Sequence, residues 1–129
     1  MAENPENIIE RFETRTINKS GIYMMTFYIN GVLTPVIVDD FMPTKNGRLC
    51  FAASVDNELW VCLLEKAWAK LYGTYARIEG GDPAFAAVHL EGAPAETTWH
   101  KEIKDNEKFW AQLKYADERK FFMISGSHG

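Results

Sequence analysis

Nucleophilic or general-base chemistry in this chain would fall to Cys50 and Cys62 and to His89, His100 and His128. A thiol nucleophile needs an imidazole within hydrogen-bond reach and a third group that orients the imidazole. Cys62 lies among Val61, Leu63 and Leu64, apolar surroundings that leave a thiol inert and make it a small hydrophobe. Cys50, between Leu49 and Phe51 on an expected strand, reads the same way. His89 is expected on a short helix, His100 in a polar connector and His128 in the tail, so all three read as exposed or packing histidines. No spacing of His and Cys matches a zinc site. Asp39-Asp40 is a carboxylate pair, but adjacent strand residues point to opposite faces, so the pair does not converge and better marks a strand end. No residue is therefore assigned a catalytic role.

The element that must organise these residues is Asp56 to Gly73, DNELWVCLLEKAWAKLYG. At helical spacing Leu59, Cys62, Leu63, Lys66 and Lys70 fall on neighbouring stripes, and Trp60, Leu64, Trp68 and Leu71 cover another face. A helix apolar almost all round in its first two turns is central. Asp56 or Asn57 is positioned to cap it, Glu58 suits the positive end of its dipole, and Gly73 suits its stop. Upstream, Ile8 to Thr16 reads as a short helix. Ile22 to Ile29 and Val32 to Val38, joined by Asn30-Gly31, read as a hairpin, because both turn residues need positive φ. Pro35 cannot donate to a ladder, so its nitrogen should face an edge or bulge. Residues 42–48 (MPTKNGR) make a second turn, and Leu49 to Ala53 reads as a short strand.

Downstream, Gly80-Gly81 breaks the chain, and Asp82 caps a helix with Pro83 at its first position, running to about Leu90. Residues 92–98 connect to a third helix that starts at Asp105 or Asn106 and ends near Arg119, with Phe109, Trp110, Leu113 and Tyr115 as candidates for burial. Phe121 to Ile124 reads as a strand that wants partners on both faces, and little chain follows to supply them. The expectation is a piece of a larger fold, with a sizeable apolar surface around Phe121, Phe122 and Ile124.

The chain's 129 residues suit one domain or part of one. An aromatic share of 13% argues against disorder, and a net charge of -4 gives no basic footprint for nucleic acid. No apolar run approaches the roughly 20 residues that span a bilayer, and no secretory leader pattern opens the sequence. Two cysteines do not make a disulfide framework, so the expected location is cytoplasmic.

The residues Gly21 to Pro94 carry a resemblance to the calpain family of papain-like cysteine proteases. It rests on Val36 to Pro43 (VIVDDFMP), Asn57 to Lys70 (NELWVCLLEKAWAK) and Gly80-Gly81. From Lys101 to Gly129 the chain is similar, less closely, to the helix and strand that open the second half of the calpain core. The resemblance implies an α+β fold, a partial papain-like core with an antiparallel hairpin and short strands around a central helix. It implies a partial catalytic domain over residues 1–129, with 1–100 the later part of the first protease subdomain and 101–129 the start of the second. The family nucleophile sits in a G-x-C-W motif upstream of the matching region and its base in a G-H-A-Y motif downstream. Neither motif occurs here.

By the same resemblance Glu58 corresponds to a calcium ligand, although a carboxylate before a helix is favourable without any metal. Gly80 and Gly81 correspond to the part of the cleft that hydrogen-bonds an extended substrate backbone, where missing side chains allow close approach. The lone chain is expected to need no cofactor, with calcium possible in a complete core. Two functions follow: a segment of a calcium-dependent cysteine endopeptidase, inactive alone and partnered by the remainder of a protease core, or a non-catalytic calpain-like module that binds a protein partner or serves as a structural part of an assembly.

Overall fold

The computed structural model describes residues 5–53 and 58–126. The elements in chain order are α1 (Pro5–Arg11), β1 (Ile22–Ile29), β2 (Val32–Asp39), β3 (Thr44–Lys45), β4 (Arg48–Leu49), α2 (Trp60–Tyr72), α3 (Pro83–Glu91) and α4 (Asn106–Glu118). Two 3₁₀ turns, Tyr75–Ile78 and His100–Glu102, follow α2 and precede α4. The architecture is α+β, as the pattern of apolar residues predicts.

β1 and β2 pair antiparallel from Ile29↔Val32 to Ile22↔Asp39. Asn30 and Gly31 close the turn at φ 51° and 76°, the positive values that make Asn-Gly a hairpin signal. Hydrogen-bonded pairs alternate outward from such a turn, and Asp40 N–H to Gly21 O continues that alternation. Pro35, opposite Thr26, therefore falls at a non-hydrogen-bonded position, where its missing N–H disturbs no ladder bond.

One face of this hairpin makes the core. Tyr23, Met25, Phe27, Val36 and Val38 are buried with Phe12, Leu63 and Ala67, and Met25 and Phe27 are fully enclosed. Trp60, Leu64, Trp68 and Leu71 of α2 are half-buried against the same cluster. Burying a side chain the size of Phe27 contributes about 1.5–3 kcal/mol. The central helix thus lies over the sheet, and α3 packs against β1.

The boundaries differ from the sequence reading where tertiary partners intervene. α1 begins at Pro5 and ends at Arg11 rather than Thr16. Phe12 is taken by a bridge to Met25, and the Glu13 and Thr14 amides donate to Met24 O. α2 starts at Trp60, and its first intrahelical bond runs from Leu63 N–H to Leu59 O. The expected caps, Asp56 and Asn57, lie outside the described residues. The strand expected over Leu49 to Ala53 reduces to Arg48–Leu49, because after Cys50 the chain turns in to α2, where Ala52 N–H donates to the Glu65 carboxylate at 2.8 Å. Asp82 caps α3 as expected, its side chain accepting from Ala84 N–H, and Gly92 takes the left-handed stop at φ 71°.

α4 is capped by Asp105, which accepts from Lys108 N–H. Phe109 and Leu113 are half-buried, but Trp110 and Tyr115 are more than half exposed. The Lys114 and Arg119 cations lie beside their rings. Phe121 to Ile124 forms no strand, since no segment among the described residues pairs with it. The end of α4 is nonetheless encoded. Phe121 N–H bonds Ala116 O and Lys120 N–H bonds Asp117 O, with Lys120 at φ 58°, the Schellman arrangement built on lysine instead of glycine. Phe121 then packs edge-on against Tyr115, the apolar contact that accompanies this stop.

Candidate functional site

The helix α2 places the residues that join strand, loop and core. Lys66 and Lys70 lie one turn apart on it, and both ammonium groups reach β2. Lys66 Nζ donates to the Asp39 carboxylate at 2.6 Å, to Asp39 O and to Phe41 O. Lys70 Nζ donates to Ile37 O at 2.6 Å. Three donors on one ammonium meet three oxygens, so the end of β2 is fastened to the middle of α2. Neither the two lysines at i, i+4 nor the strand ending in aspartate discloses this clamp, which depends on α2 lying across β2.

Asp39 is held below its ordinary pKa of 3.8 by the Lys66 hydrogen bond first and the Phe41 amide next. A carboxyl depressed on folding stabilises the fold above its unfolded pKa and loses that contribution as pH falls through the lower folded value. The expected result is an acid-destabilisation component that sets in as pH falls to about 3.8 and below, and that is absent in Asp39→Asn. Urea midpoints measured down the acid limb for both proteins check it; parallel curves would refute it.

Cys62 is buried, and its thiol donates to Ala52 O at 3.1 Å. That matches an inert packing thiol. Cys50 is exposed beyond β4, so the apolar burial expected for it does not occur. Arg48 and Leu49 of the two-residue strand are exposed, as are both residues of β3. His89 is buried among the rings of Trp68, Tyr72 and Phe85, and its Nδ1 lies 2.7 Å from Phe85 O. His100 is exposed on its 3₁₀ turn, and His128 lies outside the described residues. The two thiols and two described imidazoles thus occupy separate settings, each accounted for by packing or solvent. Asp39 and Asp40 diverge as expected: Asp39 turns to Lys66, and Asp40 lies over Gly21.

Glu58 is exposed two residues before α2, and its carboxylate accepts from the Trp60 indole N–H at 2.9 Å. Calcium takes six to eight oxygens. Among the described residues no group of three or more His, Cys, Asp and Glu side chains is placed to hold a metal ion. Gly80 and Gly81 are exposed between the first 3₁₀ turn and α3, with φ of 79° and 152°. A side chain at either would meet nothing within 4 Å. Their backbone is therefore open to approach from solvent.

Two contacts escaped the sequence reading. Phe51 and Tyr75 stack face to face, with centroids 4.1 Å apart and planes 2° from parallel. Burial and then the Glu65 charge push the Tyr75 hydroxyl up from its ordinary pKa. Together with the Glu65–Ala52 bond, this stack ties the loop after β4 to α2 and to the 3₁₀ turn that follows it.

Comparison with known proteins gives one consistent answer. The sequence profile of the calpain family cysteine proteases matches residues 2–129. The calpain-type cysteine protease ADL1 of Oryza sativa subsp. japonica is 37% identical over 134 aligned positions, covering 98% of this chain and 6% of that protein. Calpain-5 of Caenorhabditis elegans is 37% identical over 109, covering 84% of this chain and 17% of the relative. Calpain-9 of Homo sapiens is 41% identical over 101, covering 78% and 14%. The chain spans less than a fifth of the length of each of these relatives.

Proposed function

Because the chain belongs to the calpain family of cysteine proteases, we propose that it forms a non-catalytic part of a calpain-type endopeptidase core, and that it acts with the remainder of such a core. In this reading residues 1–100 are the later part of the first protease subdomain and 101–129 open the second. The observation that carries the proposal is the apolar run after α4. Phe121, Phe122, Met123 and Ile124 are each about half exposed, beside exposed Trp110 and Tyr115, and so many large apolar groups in sequence suit a covering partner.

The settings of the thiols and imidazoles support the absence of chemistry on this chain. Cys62 is buried against Ala52 O, and His89 is held on Phe85 O among aromatic rings. Gly80 and Gly81 would offer main-chain groups to an extended peptide, with the facing wall of the cleft supplied by the partner. Glu58 would contribute one ligand to a calcium ion whose other ligands come from elsewhere. A cytoplasmic location is part of the same proposal; no helix among the described residues is long and apolar enough to cross a membrane.

A second reading, a calpain-like module that binds an unrelated protein partner, draws on the same apolar run. A thiol-reactive peptide probe, with and without calcium, separates chemistry from binding. The expected outcome is no calcium-dependent labelling of Cys50 or Cys62. Labelling of either would overturn the non-catalytic assignment. Isolation of the native complex then distinguishes the two readings: a co-purifying polypeptide carrying G-x-C-W and G-H-A-Y supports the first, and one without them the second.

A further inference from the structure

The chain contains two Asn-Gly turns of nearly identical backbone shape and very different support. Asn30-Gly31 has φ of 51° and 76°, and Asn46-Gly47 has φ of 54° and 74°. All four residues are exposed, and neither glycine has an atom within 4 Å of where a side chain would sit. The steric opportunity for chemistry between the asparagine side chain and the next amide is therefore the same at both. The ladders behind them are not. Asn30 closes eight residue pairs whose inner face is the protein core. Asn46 closes two pairs, Thr44↔Leu49 and Lys45↔Arg48, all four residues of which are exposed, with one further bond from Cys50 N–H to Pro43 O.

We propose that Asn46 is a site of spontaneous deamidation and isoaspartate formation in the folded protein, and that Asn30 is protected from the same reaction. In the first step the Gly47 backbone nitrogen gives up its proton and attacks Asn46 Cγ. A C–N bond forms, the bond from Cγ to the side-chain nitrogen breaks, and ammonia leaves with the proton. Water then adds to either carbonyl of the five-membered imide. Opening at one gives aspartate; opening at the other gives isoaspartate, with the main chain running through the former side chain. No electrons are transferred, and water is the sole co-reactant.

Glycine at the next position leaves the attacking nitrogen unhindered. The remaining barrier is conformational. A residue locked in a left-handed turn must leave it before its neighbour's nitrogen can reach Cγ, so the turn has to open. Opening follows local stability, which is smallest where few buried contacts and exposed backbone bonds hold a segment. The two-pair hairpin opens by itself. The eight-pair hairpin opens at its turn only by lifting Phe27 and Ile29 from the core.

The product also changes its surroundings. A new carboxylate appears beside Lys45 and Arg48, and in the isoaspartate form the turn gains one backbone atom that the Lys45↔Arg48 pairing has no room for. Residues 44–50 would then detach from one another while the β1–β2 core persists.

The test is timed incubation of the full chain at mildly alkaline pH, followed by peptide mapping and by labelling with an isoaspartate methyltransferase. Native and urea-unfolded samples run in parallel. In the native sample Asn46 is expected to convert at least about tenfold faster than Asn30, reflecting the gap between local fraying and core opening. In the unfolded sample the two should convert at similar rates. Asn46→Gln should remove most native isoaspartate label; a φ of 54° suits Asn better than Gln, so strain falls on the two-pair hairpin while the cooperative urea transition of the β1–β2 core persists. Equal rates at both sites in the native chain would overturn the proposal. So would a native Asn46 that stays intact while the unfolded chain converts there.

Discussion

Phe27→Ala is expected to cost about 3–5 kcal/mol of folding stability, enough to populate the unfolded state under ordinary conditions. Phe27 is fully buried, and its ring meets Trp68 of α2 at 5.5 Å with the planes inclined by 59°. The substitution removes the apolar transfer contribution, the tilted aromatic contact and the filling of the space between sheet and helix. The cavity sits where both are rigid: β1 is held by its partner strand, and α2 by the Lys66 and Lys70 clamps. Little collapse is therefore available, which puts the loss toward the upper end. Urea denaturation read by tryptophan fluorescence measures it, because Trp68 reports on the same contact. A midpoint close to that of the unmodified chain, at unchanged slope, would show that this interface is not the core.

Gly92→Ala should be the most damaging glycine substitution outside the hairpin turns, at about 2–5 kcal/mol. Gly92 ends α3 at φ 71°, with its N–H on Val88 O. A non-glycine residue in that left-handed region costs about 1–2 kcal/mol. The new methyl would also lie 2.7 Å from the Tyr28 ring, pushing on its base and not on a movable tip. The Arg11 guanidinium, 5.0 Å over the same ring, limits how far Tyr28 can yield. Gly31→Ala is the control. It shares the positive φ but meets open space, so about 1–2 kcal/mol is expected there. Comparing urea midpoints of the two variants isolates the Tyr28 contact, and equal losses would show that the contact is relieved at no cost.

The parts of this fold that were legible in the sequence are those whose signals are local. Asn30-Gly31 between two β-branched runs specified its turn, Asp82-Pro83 opened α3, and Asp105 capped α4. What failed was set by distant partners. α1 stops early because Phe12 joins β1, and the apolar run at Phe121 is not a strand because a strand is a relation between two segments. Burial of Trp110 and Tyr115 was expected from residue type, yet both stay more than half exposed, with the Lys114 and Arg119 cations beside their rings. The site fared similarly. Cys62 was readable as inert from its neighbours in sequence, but the exposure of Cys50 was not. The clamp on Asp39 needed the crossing of α2 over β2 and could not be read from either element alone.

The lysines of α2 also bear on how this protein keeps company. An open strand edge is a template on which another extended chain can assemble, in a partner or in an aggregate. Along β2 that template is spoiled: Pro35 offers no N–H, and the carbonyls of Ile37 and Asp39 already hold ammonium groups. Along β1, Met24 has both main-chain groups engaged by Thr14 and Glu13. An incoming strand would have to evict charges on one flank and a chain segment on the other. Both flanks of the β1–β2 hairpin thus resist sideways growth by an added strand.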